Sequence, residues 1–509
     1  MAATSQQPTD AAVRPGDGPW DAVVVGGGVA GLVAARELAT AGLRTLLVEE
    51  RPEVGGAVGR HELAGLTLDS GAESFATRGG AVAVLADELG LRDRVVTPDP
   101  RGAWVQLPQG AGPLPRAGLL GIPADPWAPD VRRTIGLLGA LRAGADRALP
   151  ASWGTRAPAG GAVTVGGLVR ARMGRRVLER LVRPVVAGVH AADPDDLAVD
   201  AVSPGLRAAL AERGSLGAAV RSLRALAPAG SAVAGFEGGL HVLVDALLAD
   251  VLARGVQVRT GVRATGVTRP ADTPSAEDDA VRGPGFEVEL HGPDGAVARE
   301  RTDRLVLATP AAVTLLAPVV PALAGLTPDA GAEVVLVTLV LDAPALDAAP
   351  RGTGVLVSPA VRGVRAKALT HASAKWSWLA RATPAGRHVV RLSYGIAGHG
   401  GAAPQAPDPR TLPDDELTSL ALRDAAALLG VPLGAAELVA SARVTWSQAL
   451  PRPSARHRAV VDQVRAAAVD VPGLAVCGAW VAGNGLASVV PDARAAAHAL
   501  LSARNVRSE

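Results

Sequence analysis

Three glycines near the start of the chain have the spacing that a phosphate-binding turn requires. In Gly26-x-Gly28-x-x-Gly31, the first glycine permits a tight turn and the second lets the backbone approach a pyrophosphate. The third lets the following helix pack closely on the preceding strand. Glu49 follows, and its carboxylate can accept hydrogen bonds from the hydroxyls of an adenosine ribose. Because its charge would repel a 2′-phosphate, the spacing predicts a dinucleotide site that disfavours NADP.

The flanking residues predict the elements that must hold this turn. Residues 22–25 are an unbroken apolar run, as a buried parallel strand requires, and residues 29–41 have helical character. The N-terminus of such a helix presents unpaired N–H groups and the positive end of its dipole to phosphates. Residues 44–50 supply a second strand that ends in acid, so the segment predicts a βαβ unit.

Two further groups of glycines distinguish FAD from NAD. Gly55 and Gly56 follow the acid, and their backbone without Cβ can lie along an extended dinucleotide. Gly478, Gly483 and Gly485 come directly before the last helical segment. That last group alone is equally well explained by an ordinary strand-to-helix turn. Taken together, the three segments predict FAD as the cofactor.

The composition excludes several classes of protein. Lys+Arg 51 against Asp+Glu 49 leaves a net charge of +2 without a basic stripe, which is not the pattern of a nucleic-acid-binding protein. The single cysteine, Cys477, excludes a disulfide framework and a multi-cysteine zinc site, and we expect it to be a small buried hydrophobe. The histidines show no metal-binding spacing, so no metal is expected.

The termini and apolar stretches predict a cytoplasmic protein. Residues 1–18 are polar, lack the apolar region of a signal peptide and are expected to form a disordered tail. Residues 305–328 are uncharged and long enough to cross a bilayer, but Pro310, Pro318 and Pro321 would break a spanning helix. We therefore expect a buried strand followed by a broken helix, with no transmembrane span. Attachment to a membrane surface through an apolar patch stays open.

The rest of the chain predicts a protein of the α/β plus α+β class. Its expected parts are a Rossmann-like FAD-binding domain, a mixed-sheet substrate domain and a helical insertion, because helical periodicity dominates 98–231 and strand-like runs occur at 334–341 and 389–394. The expected bounds are 19–97 with 232–313 and 447–509 for the FAD-binding domain, 98–120 with 314–446 for the substrate domain, and 121–231 for the helical domain.

Several segments resemble a known family. The opening is similar to the FAD-binding start of the flavin amine oxidase superfamily, and the others narrow the resemblance to the oxygen-dependent protoporphyrinogen and coproporphyrinogen oxidase family. AGVHAADP is the most family-specific segment, and the soluble bacterial coproporphyrinogen branch is the most similar. The segments are GGGVAGLVAARELATAGLRTLLVEERPEVGG (26–56), DSGAESF (69–75), RLVRPVVAGVHAADPDDL (180–197), FEGGLHVLVDAL (236–247), DRLVLATPA (303–311), KWSW (375–378) and GLAVCGAWVAGNGLASVV (473–490).

The resemblance implies which residues bind the cofactor. The implied residues are Gly26, Gly28, Val29, Ala30 and Gly31 at the pyrophosphate; Glu49, with Glu50 beside it, at the ribose; Gly55 and Gly56 along the dinucleotide; Gly71, Ala72, Glu73 and Ser74 at the flavin; Val262 at the adenine side; Trp446 near the cofactor; and Gly478, Asn484, Gly485 and Leu486 in the closing turn, the last three near the flavin pyrimidine edge.

Two departures from the family pattern affect this assignment. Ala57 stands where the superfamily usually has a basic residue, so that phosphate contact is lost or is supplied elsewhere, for which Arg60 is the candidate. Ala487 and Ser488 replace a usual Pro-Asp pair, which leaves the flavin contacts of that turn open. Lys375 could approach the flavin, as a lysine does in related amine oxidases, but we expect it to be structural.

The resemblance also implies an activity in haem biosynthesis. The expected reaction is the six-electron oxidation of coproporphyrinogen III to coproporphyrin III by FAD and O2, in three hydride transfers to the flavin with release of H2O2. No catalytic side chain is expected, because the cation left by hydride loss is delocalised and a pyrrole N–H can release its own proton. Arg78 is the candidate partner of a substrate propionate, and its simpler interpretation is a solvated surface arginine.

Other functions stay open at this point. Protoporphyrinogen IX is the alternative substrate. It has two propionates, whereas coproporphyrinogen III has four, so a site for it would need fewer cationic donors. An amine or carotenoid oxidoreductase of the same fold is a second alternative, although a single tyrosine makes an aromatic cage hard to build. A non-catalytic flavoprotein or haem-pathway scaffold is a third. A transient contact with a downstream chelatase is also left open.

Overall fold

The fold of this chain is described from a computed structural model. It describes residues 19–115, 118–157, 162–190, 192–225, 233–269, 285–327, 331–395, 407–450 and 455–502. The tail expected at 1–18 lies outside these residues.

The strands of the described residues form two large sheets and several small ones. They are β1 (Ala22–Val25), β2 (Thr45–Val48), β3 (Arg60–Leu63), β4 (Leu66–Asp69), β5 (Phe75–Ala76), β6 (Val95–Val96), β7 (Trp104–Leu107), β8 (Gly110–Pro113), β9 (Gly118–Leu119), β10 (Ile122–Pro123), β11 (Val233–Phe236), β12 (Gln257–Arg259), β13 (Arg263–Thr268), β14 (Phe286–His291), β15 (Val297–Thr302), β16 (Leu305–Leu307), β17 (Ala332–Asp342), β18 (Gly354–Val357), β19 (Ala368–His371), β20 (Arg387–Tyr394), β21 (Leu438–Leu450) and β22 (Leu474–Val476).

The helices cover the sheets and form a separate cluster. They are α1 (Val29–Thr40), α2 (Ala81–Glu88), α3 (Pro129–Gly144), α4 (Val165–Arg172), α5 (Arg175–Val177), α6 (Arg183–His190), α7 (Val199–Val202), α8 (Leu206–Arg213), α9 (Leu216–Ala225), α10 (His241–Ala253), α11 (Ala312–Leu316), α12 (Ala372–Lys375), α13 (Ser377–Ala382), α14 (Asp414–Leu429), α15 (Ala455–Val469), α16 (Ala479–Ala482) and α17 (Leu486–Ser502). Within the described ranges, none of them combines the length and apolarity needed to cross a bilayer.

The first large sheet is parallel and has the order β12-β2-β1-β16-β22. Its central strands β1 and β16 are apolar throughout, because helices α1, α10 and α17 cover one face and elements that include β13, β14 and α15 cover the other. Parallel strands bring all their carboxyl ends to one edge, so the turns after Val25, Val48, Leu307 and Val476 lie together there. The predicted Rossmann-like unit is confirmed.

The second large sheet is mixed and has the order β21-β17-β20-β19-β18-β7-β8. One face packs on α14 through alternate residues such as Val335, Val337 and Leu392, which are at most 1% exposed. The opposite face is turned toward the β3–β4 hairpin, whose Leu68 packs on Val340. This sheet confirms the predicted mixed-sheet unit.

Helices α3 to α9 form the predicted helical part around their own apolar core. Arg172 is wholly buried there, and its guanidinium donates to the Asp146 carboxylate and to the carbonyls of Trp153 and Gly214. The strand and broken helix expected at 305–328 are present as β16 and α11, as far as residue 327. Cys477 is buried, as expected. The expected domain bounds stay predictions.

A buried ion pair holds the edge strand β12 of the parallel sheet. Arg259 at its end donates to Glu300 of β15 at 2.6 Å, and the indole N–H of Trp20 donates to the other Glu300 oxygen at 2.7 Å. The carbonyl of Arg259 in turn accepts the N–H of Glu49 at 2.9 Å. The pair therefore fixes the strand that positions the predicted ribose-binding acid.

We expect Glu300→Gln to lower the free energy of unfolding by about 3–5 kcal/mol, because it leaves the buried charge of Arg259 uncompensated. Urea denaturation of both proteins measures the difference. Glu289→Gln is the matched control, since Glu289 pairs with Arg299 on the exposed surface of the adjacent strands, and it should lower the free energy of unfolding far less because solvent screens an exposed pair. Equal effects of the two substitutions would contradict this role of the buried pair.

Candidate functional site

The glycine turn after β1 allows helix α1 to pack against the strand. A Cβ atom on Gly31 would lie 1.8 Å from the carbonyl oxygen of Gly26, so only glycine permits this contact. Gly26 itself has φ +104°, a conformation that favours glycine. No side chain of the described residues caps α1 after Gly28. The first N–H groups of the helix are therefore available to an anion.

Glu49 lies at the mouth of this turn, at the end of β2. One carboxylate oxygen accepts the N–H of Gly27 at 2.6 Å, and the other accepts the N–H of Arg51 at 2.9 Å. Each oxygen keeps further lone-pair capacity for a ribose hydroxyl. Val262 is brought to the same place, because its N–H donates to the carbonyl of Glu49 at 2.9 Å.

The second pair of glycines touches the first turn backbone to backbone. The N–H of Gly55 donates to the carbonyl of Gly27 at 2.8 Å. A Cβ on Gly56 would lie 3.2 Å from the Cα of Gly28. The two loops thus form a cradle without side chains between them.

The closing turn of the chain reaches the same cradle. Gly478 follows β22, and a Cβ there would lie 3.6 Å from the Cβ of Ala30 in α1 and 3.5 Å from the carbonyl oxygen of Ala308. Asn484 and Gly485 then lead into α17, whose first residue, Leu486, packs into the core beneath α1. The first and last segments of the chain therefore meet at one edge of the parallel sheet.

The second sheet holds the turn at 69–74 by hydrogen bonds to the carbonyl groups of that turn. One guanidinium nitrogen of Arg391 donates to the carbonyls of Asp69 and Gly71 at 3.2 and 2.8 Å, and the indole N–H of Trp446 donates to that of Ser70 at 2.9 Å. The N–H groups of Gly71 and Glu73 donate to no acceptor in the described part of the chain. They are free to face a ligand.

Glu73 and two cations form a buried cluster in this turn. Its carboxylate accepts from Lys375 Nζ at 2.6 Å and pairs with Arg391 at 3.1 Å. Burial by itself would raise the pKa of Glu73, but the charges of Lys375 and Arg391 and the hydrogen bond from Lys375 lower it to about 2. Glu73 is therefore ionised at neutral pH.

Arg391 was not predicted from the sequence, and Lys375 was expected to be structural. A charged residue between the apolar Val390 and Leu392 of β20 was the one available signal. Its partner Gly71 is 320 residues away in the chain, so no local pattern could reveal the contact.

Three predicted site residues make surface contacts instead of joining the cradle. Arg60 pairs with Asp245 of α10 at 2.8 Å with half of each side chain exposed, and Glu50 pairs with Arg263 at 3.3 Å. Arg78 is exposed, and its guanidinium donates to Ser488 Oγ at 3.3 Å. Their assigned roles toward a ligand stay predictions.

The second sheet carries a row of uncharged side chains beside the turn, and helix α6 contacts it at the Leu356 end through Gly188. Five residues are cross-strand neighbours on the face that bears Arg391 and Trp446, and they include no charged side chain. We call them the platform: Val444, Leu336, Ser393, Ala368 and Leu356. All except Leu336 are partly exposed, although they lie in the middle of the sheet. Five adjacent strands give a strip on the order of 19 Å wide.

The arrangement fits the predicted FAD. The glycine cradle, the uncapped helix N-terminus and the Glu49 carboxylate match a pyrophosphate and a ribose in order along the edge. The turn at 71–74 continues from the cradle, because the carbonyl of Ala57, directly after Gly56, accepts the N–H of Ala72 at 2.9 Å. The cradle, the turn at 71–74 and the platform thus follow one another, an order that fits a dinucleotide with a reactive ring system.

Comparisons with known proteins agree with this geometry. The family described as flavin containing amine oxidoreductase matches residues 29–501. The chain is 29% identical over 499 residues to the coproporphyrinogen III oxidase of Mycobacterium tuberculosis, covering 95% of this chain and 98% of that protein. It is 28% identical over 518 residues to the chloroplastic protoporphyrinogen oxidase of Oryza sativa subsp. japonica, covering 93% and 86%.

The fold is also that of a solved protein. A crystal structure from Exiguobacterium sp. 255-15 matches with a TM-score of 0.75 at 24% identity, and the match covers 94% of this chain and 98% of that one. The likeness supports the order of the two sheets and the helical part.

We expect Gly28→Val to remove FAD while leaving the protein folded. A Cβ at Gly28 would lie 3.9 Å from Gly56 Cα and meets no protein atom more closely, but the added methyl groups would enter the cradle. FAD affinity should fall at least about tenfold, which corresponds to ~1.4 kcal/mol. Flavin absorbance after gel filtration and the far-UV circular dichroism of the apoprotein measure the two effects.

Gly112→Val is the control for this substitution, because nothing lies within 4 Å of a Cβ at Gly112 in the edge strand β8. That variant should keep its flavin. Full retention of FAD by Gly28→Val would contradict the assignment of the cradle.

Proposed function

Because the chain belongs to the family of flavin containing amine oxidoreductases, we propose that it is an FAD-dependent oxidase of coproporphyrinogen III. Family membership indicates FAD as the cofactor. The observation that supports a porphyrinogen as the substrate is the platform, a broad row of uncharged side chains that adjoins the turn at 71–74.

The residues of the chain would bind and orient the cofactor and the substrate. The cofactor would supply the reactive chemistry. When bound, FAD accepts hydride and O2 reoxidises it. Glu49 would hold the ribose, the glycine cradle and the N-terminus of α1 the pyrophosphate, and the turn at 71–74 the flavin. Arg391 and Trp446 hold that turn against the second sheet.

The platform supports a flat, apolar substrate. A porphyrinogen is a wide ring system with acidic groups only at its edge, so its centre needs aliphatic walls and its rim needs cations. The aliphatic members of the platform supply such a wall, and Ser393 and Ala368 leave room above it because their side chains are small. No protein base is needed next to the substrate, since a pyrrole N–H can lose its own proton.

Coproporphyrinogen III is favoured over protoporphyrinogen IX by the names of the similar bacterial proteins. Its four propionates also offer more groups for guanidinium pairing at the rim. Arg78 is the proposed donor, because it lies just after the turn at 71–74 and is exposed to solvent. O2 as the electron acceptor, transfer of product to a downstream chelatase and a cytoplasmic location belong to the same proposal.

An amine oxidase is the second candidate, and the position of the only tyrosine disfavours it. Tyr394 is on the face of the second sheet that packs on α14, and its hydroxyl donates to Asp424 at 3.2 Å. It therefore cannot contribute to an aromatic cage on the platform side, where the indole of Trp446 binds the turn.

Aerobic turnover of two porphyrinogens tests the proposal. The FAD-loaded protein should convert coproporphyrinogen III to fluorescent coproporphyrin III with release of H2O2. We expect a higher kcat/KM for it than for protoporphyrinogen IX, because additional propionates can pair with arginine.

Equal or inverted values of kcat/KM would overturn the choice of substrate and leave the fold intact. Peroxide release with a diamine but not with either porphyrinogen would favour the amine oxidase. Bound flavin that none of these compounds reduces would favour a non-catalytic flavoprotein.

We expect Ser393→Trp to block the platform without expelling FAD. The indole would cover the centre of the apolar row, so KM for the porphyrinogen should rise at least about tenfold, ~1.4 kcal/mol of lost binding. Flavin content should stay at the wild-type level. Val439→Trp is the control, since Val439 is a 40% exposed residue at the start of β21 in the same sheet. An unchanged KM in Ser393→Trp would remove the platform from substrate binding.

A further inference from the structure

The proposed function does not explain the buried carboxylate of Glu73. The side chains of Glu73, Lys375 and Arg391 are only 12%, 16% and 13% exposed. Lys375 takes one carboxylate oxygen and Arg391 the other. A buried ion cluster is often no more stabilising than well-packed apolar side chains, so fastening the turn would not by itself require three charges.

The cluster carries one net positive charge. Glu73 supplies a single negative charge against the positive charges of Lys375 and Arg391. Asp69, the other acid of this turn, lies outside the cluster and accepts the N–H groups of Leu240 and His241 at the start of α10. The positive charge of the cluster lies beside the turn at 71–74, because Lys375 and Arg391 both pair with Glu73 of that turn.

The neighbouring histidine does not change this charge balance at neutral pH. His61 lies on β3, and its pKa is lowered by burial and then by the charge of Arg391. It is therefore neutral there. The charge of the cluster itself is set by Glu73, Lys375 and Arg391, and the negative charge of Asp69 beside it is common to all variants of the cluster.

Arg391 also joins the turn to the platform. Its second guanidinium nitrogen donates to the carbonyls of Asp69 and Gly71. Ser393 of the platform follows two residues later on the same strand and the same face. The cluster is thus fixed relative to both the cofactor turn and the substrate row.

We propose that Lys375 and Arg391 are positioning residues that act through Glu73, fixing the flavin-lining turn on the second sheet and raising the reduction potential of bound FAD through their excess positive charge. Reduction of a flavin adds negative charge to the ring, so a nearby positive charge favours the reduced form. This inference rests on the FAD site of the proposed function and is independent of the identity of the substrate.

The midpoint potential of the FAD-loaded protein, measured without substrate against a reference dye, tests the inference. Glu73→Gln adds one net positive charge and should shift the potential to a more positive value. Lys375→Met removes one and should shift it to a more negative value. The double variant restores the net charge and should return close to the wild-type potential, as should Lys375→Arg alone.

Lys367→Met is the matched control, because it removes the only other lysine of the chain. Lys367 is 2% exposed, and burial lowers its pKa to about 8. The potential of this variant should equal that of the wild type. A purely structural cluster predicts shifts of the same sign in Glu73→Gln and Lys375→Met, or shifts no larger than that of the control, and either result would overturn the inference.

Loss of FAD from Glu73→Gln would still leave a decisive comparison. Lys375→Met must then have a more negative potential than both Lys375→Arg and the double variant, and any other order refutes the inference. Failure of the wild-type protein to bind FAD would instead refute the cofactor site. Opposite shifts without turnover of coproporphyrinogen III would refute the proposed substrate alone.

Discussion

The convergence of parallel strand ends at one edge of the first sheet is the constraint on which the site depends. The turns after β1, β2, β16 and β22 meet there because their strands are parallel neighbours. Glycine at positions 26 and 31 lets those turns approach to distances that a Cβ would forbid or crowd, and Gly478 has φ +111°, a conformation that favours glycine. The dinucleotide site follows from this packing, since the space it leaves is lined by backbone N–H groups and one carboxylate.

The second sheet completes the site by contacts of a different kind. Hydrogen bonds from Arg391 and Trp446 to consecutive carbonyls hold the turn at 69–74. Such bonds direct the carbonyl groups toward the sheet and leave N–H groups of the turn for a ligand. The same strands carry the platform, so the turn and the proposed substrate surface are positioned by one sheet.

The parallel unit could be predicted from sequence because its signals are local. The strand at Ala22–Val25 is found as predicted, and the helix beginning at Val29 ends at Thr40, one residue earlier than expected. The β3–β4 hairpin and the long strand β21 were not identified. Strands β3 and β4 pair with each other across Ala64 and Gly65, so that hairpin carries a local signal. The partner of β21 is instead the distant strand β17, along most of its length. Arg391 was missed for the same reason, since its role depends on a turn at the other end of the sequence.

The choice of cation at each position of the cluster follows from geometry. A guanidinium forks, so Arg391 can pair with Glu73 through one nitrogen and reach two carbonyls through the other. An ammonium is a compact point charge, and Lys375 approaches a single Glu73 oxygen at 2.6 Å. The chain uses arginine for almost all its positive charge, yet it has lysine here and at Lys367, both in the second sheet region. At position 375 a single contact to one Glu73 oxygen needs only a point charge, which the ammonium supplies.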